Sequence, residues 1–294
     1  MQQTRIDQGM AYWERFVAAY PTVHHLAQVT EDEVLRLWQG LGYYSRARHL
    51  LEAARQVDAL GDFPRTREGL LGLSGVGDYT AAAIGSICYD LPLAVVDGNV
   101  FRVLSRHYGI DTPIDTTAGR RVFERLAAQL LPPSQRGDYN QGLMDFGALC
   151  CTPRQPHCVG CPLAETCQAL RQGTVDGLPR RQGRPTKTEV SINYIYIRCG
   201  GYTALRRRPA GDIWQGLWEP LNLSAYPDSL PPDAEPISVA SLRHVLTHRV
   251  VTAHLLLLVT DHRPPLPDDY EWVEEADLQR YATSRLVQKL LAHI

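Results

Sequence analysis

The sequence predicts an all-α domain with a glycine hairpin and a cysteine-rich loop, followed by a smaller α+β domain. Three observations predict it. Apolar residues recur at helical spacing across residues 5–131, four cysteines crowd into residues 151–167, and strand-like alternation begins only after residue 189. A chain of 294 residues with 44% hydrophobic and 21% charged residues has the size of two ordinary domains and a globular composition.

Residues 5–60 read as helix: Trp13, Phe16, Val17 and Tyr20 share one face, and Val34, Leu35, Leu37 and Trp38 resume the pattern after Pro21. Helical pattern continues at 68–89, 99–108 and 117–131, broken at glycine and proline. The cysteine loop, 151–167, closes the first domain (1–167). Residues 168–189 read as a linker, with Gly173, Gly177, Pro179, Gly183 and Pro185 among Arg180, Arg181, Arg184 and Lys187. In the second domain (190–294), Val190–Ile197 alternates like a half-buried strand, Val250–Val259 is a β-branched, Leu-rich run, and Leu286–Leu291 reads as a closing helix.

The formal net charge is −2, and residues 1–189 carry 20 basic against 20 acidic side chains. A strongly basic partner surface is thereby excluded, and any nucleic acid must be held by local basic loops and backbone N–H groups. No apolar run approaches the ~20 residues that cross a bilayer, and the first residues lack the core of a signal peptide. A cytoplasmic protein with reduced thiols and no membrane partner is expected.

Of seven cysteines, four follow the spacing Cys151-x6-Cys158-x2-Cys161-x5-Cys167. Thiolates are soft ligands for zinc or iron–sulfur clusters. Structural zinc sites usually use two close cysteine pairs, and only one is present here, so the wide-narrow-wide spacing favours a [4Fe-4S] cluster. Zinc, or four unrelated thiols, are the alternatives. Cys88, Cys150 and Cys199 lie outside the pattern and read as buried small hydrophobes. Arg154 and His157, within the longest loop, are placed to meet a phosphate.

Gly75 and Gly77, between two helical segments, permit a tight hairpin whose backbone N–H groups approach a phosphate closely. Twenty residues after Gly77 comes Asp97-Gly98-Asn99. Such a tripeptide alone is more often turn chemistry than catalysis. Between a glycine hairpin and a cysteine cluster it becomes a candidate catalytic carboxylate.

Together these residues resemble the iron–sulfur branch of the helix-hairpin-helix glycosylases, and more narrowly the adenine DNA glycosylases of the MutY family. Gln2-Gln3-Thr4 and Gly40-Leu41-Gly42-Tyr43-Tyr44 match segments that wedge into the duplex around 8-oxoguanine in that family. Tyr79 stands where bifunctional relatives carry a catalytic lysine. Leu217-Trp218-Glu219-Pro220 and Leu246-Thr247-His248 resemble the family's Nudix-like 8-oxoguanine reader. The resemblance implies a monofunctional, nucleoid-associated, monomeric base-excision enzyme. Its partner would be double-stranded DNA with 8-oxoguanine·adenine or guanine·adenine mispairs. It implies Asp97, Asn99 and Tyr79 as catalytic, and Gln3, Thr4, Leu41, Tyr43, Gly75, Gly77, Gln141, Thr247 and His248 as DNA- or base-binding. Cys151, Cys158, Cys161 and Cys167 would be the cluster ligands.

Two departures stand against it. The family's proton-donating glutamate lies four positions before the first glutamine of Gln2-Gln3-Thr4, hence upstream of Met1. Either the start is misplaced, or the chain is a catalytically impaired lesion-binding protein. Glu31 and Glu33 read as a solvated helix face and offer no replacement. The family's phenylalanine-serine-histidine loop appears as Leu246-Thr247-His248, and Thr247 keeps the hydroxyl. No glutamate-rich Nudix helix exists between residues 190 and 294, so the second domain is expected to read a base, not to cleave a nucleotide.

Overall fold

The computed structural model describes residues 4, 6–183, 186–230 and 234–294. In chain order the helices are α1 (Ile6–Ala19), α2 (Val23–Ala27), α3 (Glu31–Trp38), α4 (Ser45–Leu60), α5 (Arg67–Leu71), α6 (Asp78–Tyr89), α7 (Gly98–Tyr108), α8 (Thr117–Leu130), α9 (Arg136–Leu149) and α10 (Gln168–Gln172). Six strands follow: β1 (Thr188–Arg198), β2 (Tyr202–Arg207), β3 (Trp218–Asn222), β4 (Ile237–Val245), β5 (Arg249–Val259) and β6 (Tyr270–Glu274). The closing helix is α11 (Arg285–Leu291). No helix among the described residues is long and apolar enough to cross a membrane.

The chain divides into two compact units that cut across the order of the sequence: residues 1–60 together with 185–294, and residues 61–184. The first unit is discontinuous because α3 and α4 find their apolar partners on the C-terminal sheet. Val34, Leu35, Ala47 and Leu51 share one core with Tyr194, Tyr196, Val251 and Leu255 of the sheet and with Leu286 and Leu290 of α11. Burying each valine or leucine among them contributes roughly 1.5–3 kcal/mol. Thr30 starts α3 with a reciprocal cap: its hydroxyl accepts from the Glu33 N–H, and the Glu33 carboxylate accepts from the Thr30 N–H. Glu33 is therefore a capping residue and not a free solvated acid, and Glu31 pairs with Arg207 at 3.0 Å.

The six strands form one sheet in the order β4-β5-β1-β3-β2-β6. β1 and β5 run parallel over eleven residue pairs, from Thr188↔Arg249 to Arg198↔Val259, and the other pairings are antiparallel. The half-buried strand expected at Val190–Ile197 is corrected here, because Tyr194, Ile195, Tyr196 and Ile197 are all buried. β1 is central. Tyr194 and Tyr196 face the helical core, whereas Ile195 and Ile197 face a second layer with Leu221, Leu258 and Tyr270 under Tyr226, Leu230 and Leu266. Among the described residues the second layer holds no glutamate-rich helix.

In the second unit, Val100 and Leu104 of α7 pack on Phe123 and Ala127 of α8. α9 crosses α6 where Gly137 leaves no room for a side chain, since a Cβ would lie 2.8 Å from the Ile87 Cα. Within the expected linker 168–189, the stretch 168–183 is packed. Ala169 and Leu178 are buried, Arg106 donates to the Val175 and Leu178 carbonyls, and the Ile114 N–H donates to the Arg180 carbonyl. Cys199 is buried as expected, but Cys88 is exposed in the last, solvent-facing turn of α6, and Cys150 is half-buried beside the cysteine loop.

Candidate active site and lesion-reading surface

In the unit of residues 61–184, α5, the hairpin 72–77 and α6 form the helix-hairpin-helix. The two hairpin glycines have different roles. Gly75 sits at φ +74°, a left-handed position, whereas Gly77 is an extended N-cap at φ −95° with no side chain to cap the start of α6.

Asp97 is the N-cap of α7. One carboxylate oxygen accepts from the N–H groups of Asn99 and Val100 at 2.9 and 2.8 Å, and the other accepts from Asn99 Nδ2 at 2.9 Å. The carboxylate is thereby fixed in orientation at the positive end of a helix, where negative charge is favoured. Asn99 Oδ1 in turn accepts from Arg102 Nη2 at 2.9 Å, and Arg102 Nε donates to the Cys151 carbonyl at 2.6 Å. A continuous path of hydrogen bonds thus joins Asp97 to the first residue of the cysteine loop. Gly147 makes it possible, because a Cβ there would lie 2.7 Å from Asn99 Cβ. Tyr79 lies close enough to feel the charge: burial first, and the Asp97 carboxylate second, raise its hydroxyl above the ordinary value. Its Oη lies 3.7 Å from Met144 Sδ.

Cys151, Cys158, Cys161 and Cys167 line one cavity with Cys150 and Arg106. Burial pushes the Cys158 thiol up, and so do Cys151, Cys161 and Cys167 beside it, so the four sulfurs lie within reach of one another's charge. Arg106, itself buried, points Nη1 at Cys151 Sγ from 3.4 Å and donates to the Thr152 and Pro153 carbonyls. A pocket of soft thiols with a fixed cation beside it fits an anionic metal–sulfur group. Among the described residues no three His, Cys, Asp or Glu side chains are arranged to close on a single metal ion. Arg154 and His157 are exposed on the loop.

The other unit gathers the candidate reading residues, apart from Gln3, which lies outside the described residues. Gly40 at φ +94°, Gly42 at +80° and Tyr43 at +50° turn the chain just before α4. The turn separates neighbours that look alike in sequence: Leu41 and Tyr44 go into the core at 8% and 5% exposure, and Tyr43 stands out at 54%. Leu41 is thus beneath the surface. Tyr43 Oη meets Thr247 Oγ1 at 3.3 Å, although 204 positions separate them. Thr247 and His248 are exposed at the tip of the β4–β5 hairpin. The tip is pinned by the Leu246 N–H to Arg249 carbonyl bond, by Lys187 Nζ on the Leu246 carbonyl and by the Thr188 N–H on the His248 carbonyl. Thr4 accepts from Arg46 Nη1 at 2.9 Å.

Sequence reasoning missed Arg102 and Asn140. Asn140 is buried in α9, where its amide bonds the Val95 N–H, Ser86 Oγ and the Leu93 carbonyl, fixing the segment that delivers Asp97. The available signal was a helix-disfavoured amide in the interior of a helix. Its neighbour Gln141 is exposed and bonds Asp145 on its own helix.

A glycine hairpin, an N-capping aspartate and, joined to it through Asn99 and Arg102, a pocket of four cysteines occur together in the unit of residues 61–184. Residues 1–130 match the family model described as HhH-GPD superfamily base excision DNA repair protein, and residues 193–293 match the NUDIX domain model. Adenine DNA glycosylase of Arabidopsis thaliana is 36% identical over 74% of this chain and 40% of its own length. Adenine DNA glycosylase of Homo sapiens is 31% identical over 99% of this chain and 65% of its own. A thermostable thymine-DNA glycosylase structure superposes with a TM-score of 0.53 at 30% identity, over 58% of this chain and 80% of that one. The chain belongs to the HhH-GPD superfamily, in its adenine DNA glycosylase family. It spans two fifths of the Arabidopsis relative and just under two thirds of the human one.

Proposed function

We propose that the protein is a monofunctional DNA glycosylase that removes adenine paired with 8-oxoguanine or guanine in double-stranded DNA. The observation that carries this reading is the Asp97 carboxylate, held by three donors in one orientation with no lysine beside it and with Tyr79 at the lysine's position. A target adenine leaves the stack to be reached. As its glycosidic bond breaks, positive charge builds on the sugar, and a fixed carboxylate stabilises that charge without reorganising. Without an amine there is no Schiff base, and therefore no strand cleavage by that route.

Tyr43, Thr247 and His248 suit the role of reading the base left behind, and the family resemblance adds Gln3 and Thr4 to that role. Gly75, Gly77 and the N-terminus of α6 suit a DNA phosphate, a contact that positions without carrying sequence information. Cys151, Cys158, Cys161 and Cys167 would hold a [4Fe-4S] cluster, which when bound staples the loop 151–167 to the end of α9.

Single-turnover adenine release from an 8-oxoguanine·adenine duplex tests the reading. With no proton donor for the departing adenine among the residues named above, slow release is expected from the wild-type chain, with a further loss of about a thousandfold or more in Asp97→Asn and unchanged duplex affinity. Retained turnover in Asp97→Asn would remove the aspartate from the chemistry. Lesion-specific binding by the wild type without release would make the chain a reader alone.

A further inference from the structure

We propose that Arg46 is the positioning residue of the lesion-reading surface: its guanidinium ties Thr4 to the turn at Gly42–Tyr43 and holds that turn rigid. The inference rests on the reading of Tyr43 and Thr247 given above and assigns the group that holds them ready.

Three contacts converge on this one side chain. Nη1 donates to Thr4 Oγ1 at 2.9 Å, and Nη2 donates to the Gly42 carbonyl at 3.3 Å. The guanidinium carbon lies 5.3 Å from the Trp38 ring and 5.4 Å from the Tyr43 ring, within the range of cation–π attraction for both. Trp38 completes the arrangement, since its Nε1 also donates to the Gly42 carbonyl, at 3.0 Å. That carbonyl therefore receives two donors at the residue before Tyr43, whose φ of +50° is a strained position for a tyrosine and persists only where neighbours impose it. The surroundings that impose it are Trp38 and Arg46. Arg46 is half-buried, with its fork turned towards Thr4 and Gly42. Lysine cannot replace it: a point charge on a flexible stem has no planar fork to lie between two rings while donating to two separate oxygens.

The test is binding by the full chain to a duplex carrying 8-oxoguanine opposite a non-releasable adenine analogue, compared with an undamaged duplex. Arg46→Lys keeps the charge and is expected to lower the preference for the lesion duplex about tenfold, with affinity for the undamaged duplex and the melting midpoint little changed. Thr4→Val, which removes one acceptor outside the core, is expected to lose part of that preference, and the double variant to be no worse than Arg46→Lys alone. An unchanged preference in Arg46→Lys, an equal loss on both duplexes, or strict additivity of the two substitutions overturns the proposal. A wild-type chain without any preference for the lesion overturns the functional reading itself, a separate result.

Discussion

The two units hold their functional groups in opposite ways. In the unit of residues 61–184, both oxygens of Asp97 are engaged, and behind it Asn99, Arg102 and the Cys151 carbonyl continue a chain of fixed partners. In the unit of residues 1–60 and 185–294, Tyr43, Thr247 and His248 stand exposed and are braced from beneath by Trp38, Arg46, Lys187 and Thr188. A carboxylate that stabilises charge gains from having no freedom to turn, whereas a surface that reads a base must stay open and be stiffened from behind. The difference lies in which side of each group the protein occupies.

The largest effect should come from the loop. Cys158→Ala removes one of four sulfurs from a shared pocket. It is expected to abolish brown colour in anaerobically purified protein and to lower the melting midpoint by roughly 10 °C or more. A visible spectrum unchanged from wild type would take Cys158 out of the ligand set, and colourless wild-type protein with bound zinc would replace the cluster. Next, the adjacent tyrosines should separate cleanly. Tyr44→Ala opens a hole in the core and should cost about 3–5 kcal/mol in urea unfolding, while Tyr43→Ala should cost under about 1 kcal/mol and weaken lesion binding. Equal costs would mean that Tyr43 is a packing residue and the contrast is false.

The smallest effect is one of pH. Asp212 and Asp269 pair with Arg208 and Arg206, and hydrogen bonds from those guanidiniums hold both carboxyls below their ordinary 3.8 despite opposing burial. A lowered folded value contributes stability that is present above 3.8 and lost as pH falls through it. The urea midpoint of the wild type should therefore drop below about pH 4, and Asp212→Asn should show a shallower drop. An identical acid profile in the variant would assign the loss to other carboxylates.

Much of this was legible in the chain itself. Helical spacing locates α3, α4 and α7, and Asp97-Gly98-Asn99 is legible as turn chemistry or a catalytic carboxylate, while its place as the N-cap of α7 emerges only in the fold. The cysteine spacing brings four thiols to one pocket. What sequence could not carry was pairing at a distance. The parallel match of β1 with β5 spans 61 positions at Thr188↔Arg249, and nothing in the alternation of either strand specifies its neighbour. Arg102 and Arg106 look like solvated positions on α7, yet both are buried, because their partners are backbone carbonyls that have no letter in a sequence. Tyr43 and Tyr44 are the same letter twice, and only the left-handed turn decides which one faces out.

The interrupted first unit has a consequence for synthesis. α3 and α4 leave the ribosome long before Tyr194, Leu255 and Leu286, the side chains that cover Leu35 and Leu51. At ordinary translation rates the wait is on the order of 10 to 45 s, during which those apolar faces have no native partner to close on. Residues 61–184 are the portion that can settle meanwhile, since their core of Val100, Leu104, Phe123 and Ala127 is complete within the segment. A premature stop that removes only α11 would therefore not trim a tail: it would strip Leu286, Val287 and Leu290 from the core that also anchors the first sixty residues, and leave the earliest helices as the exposed ones.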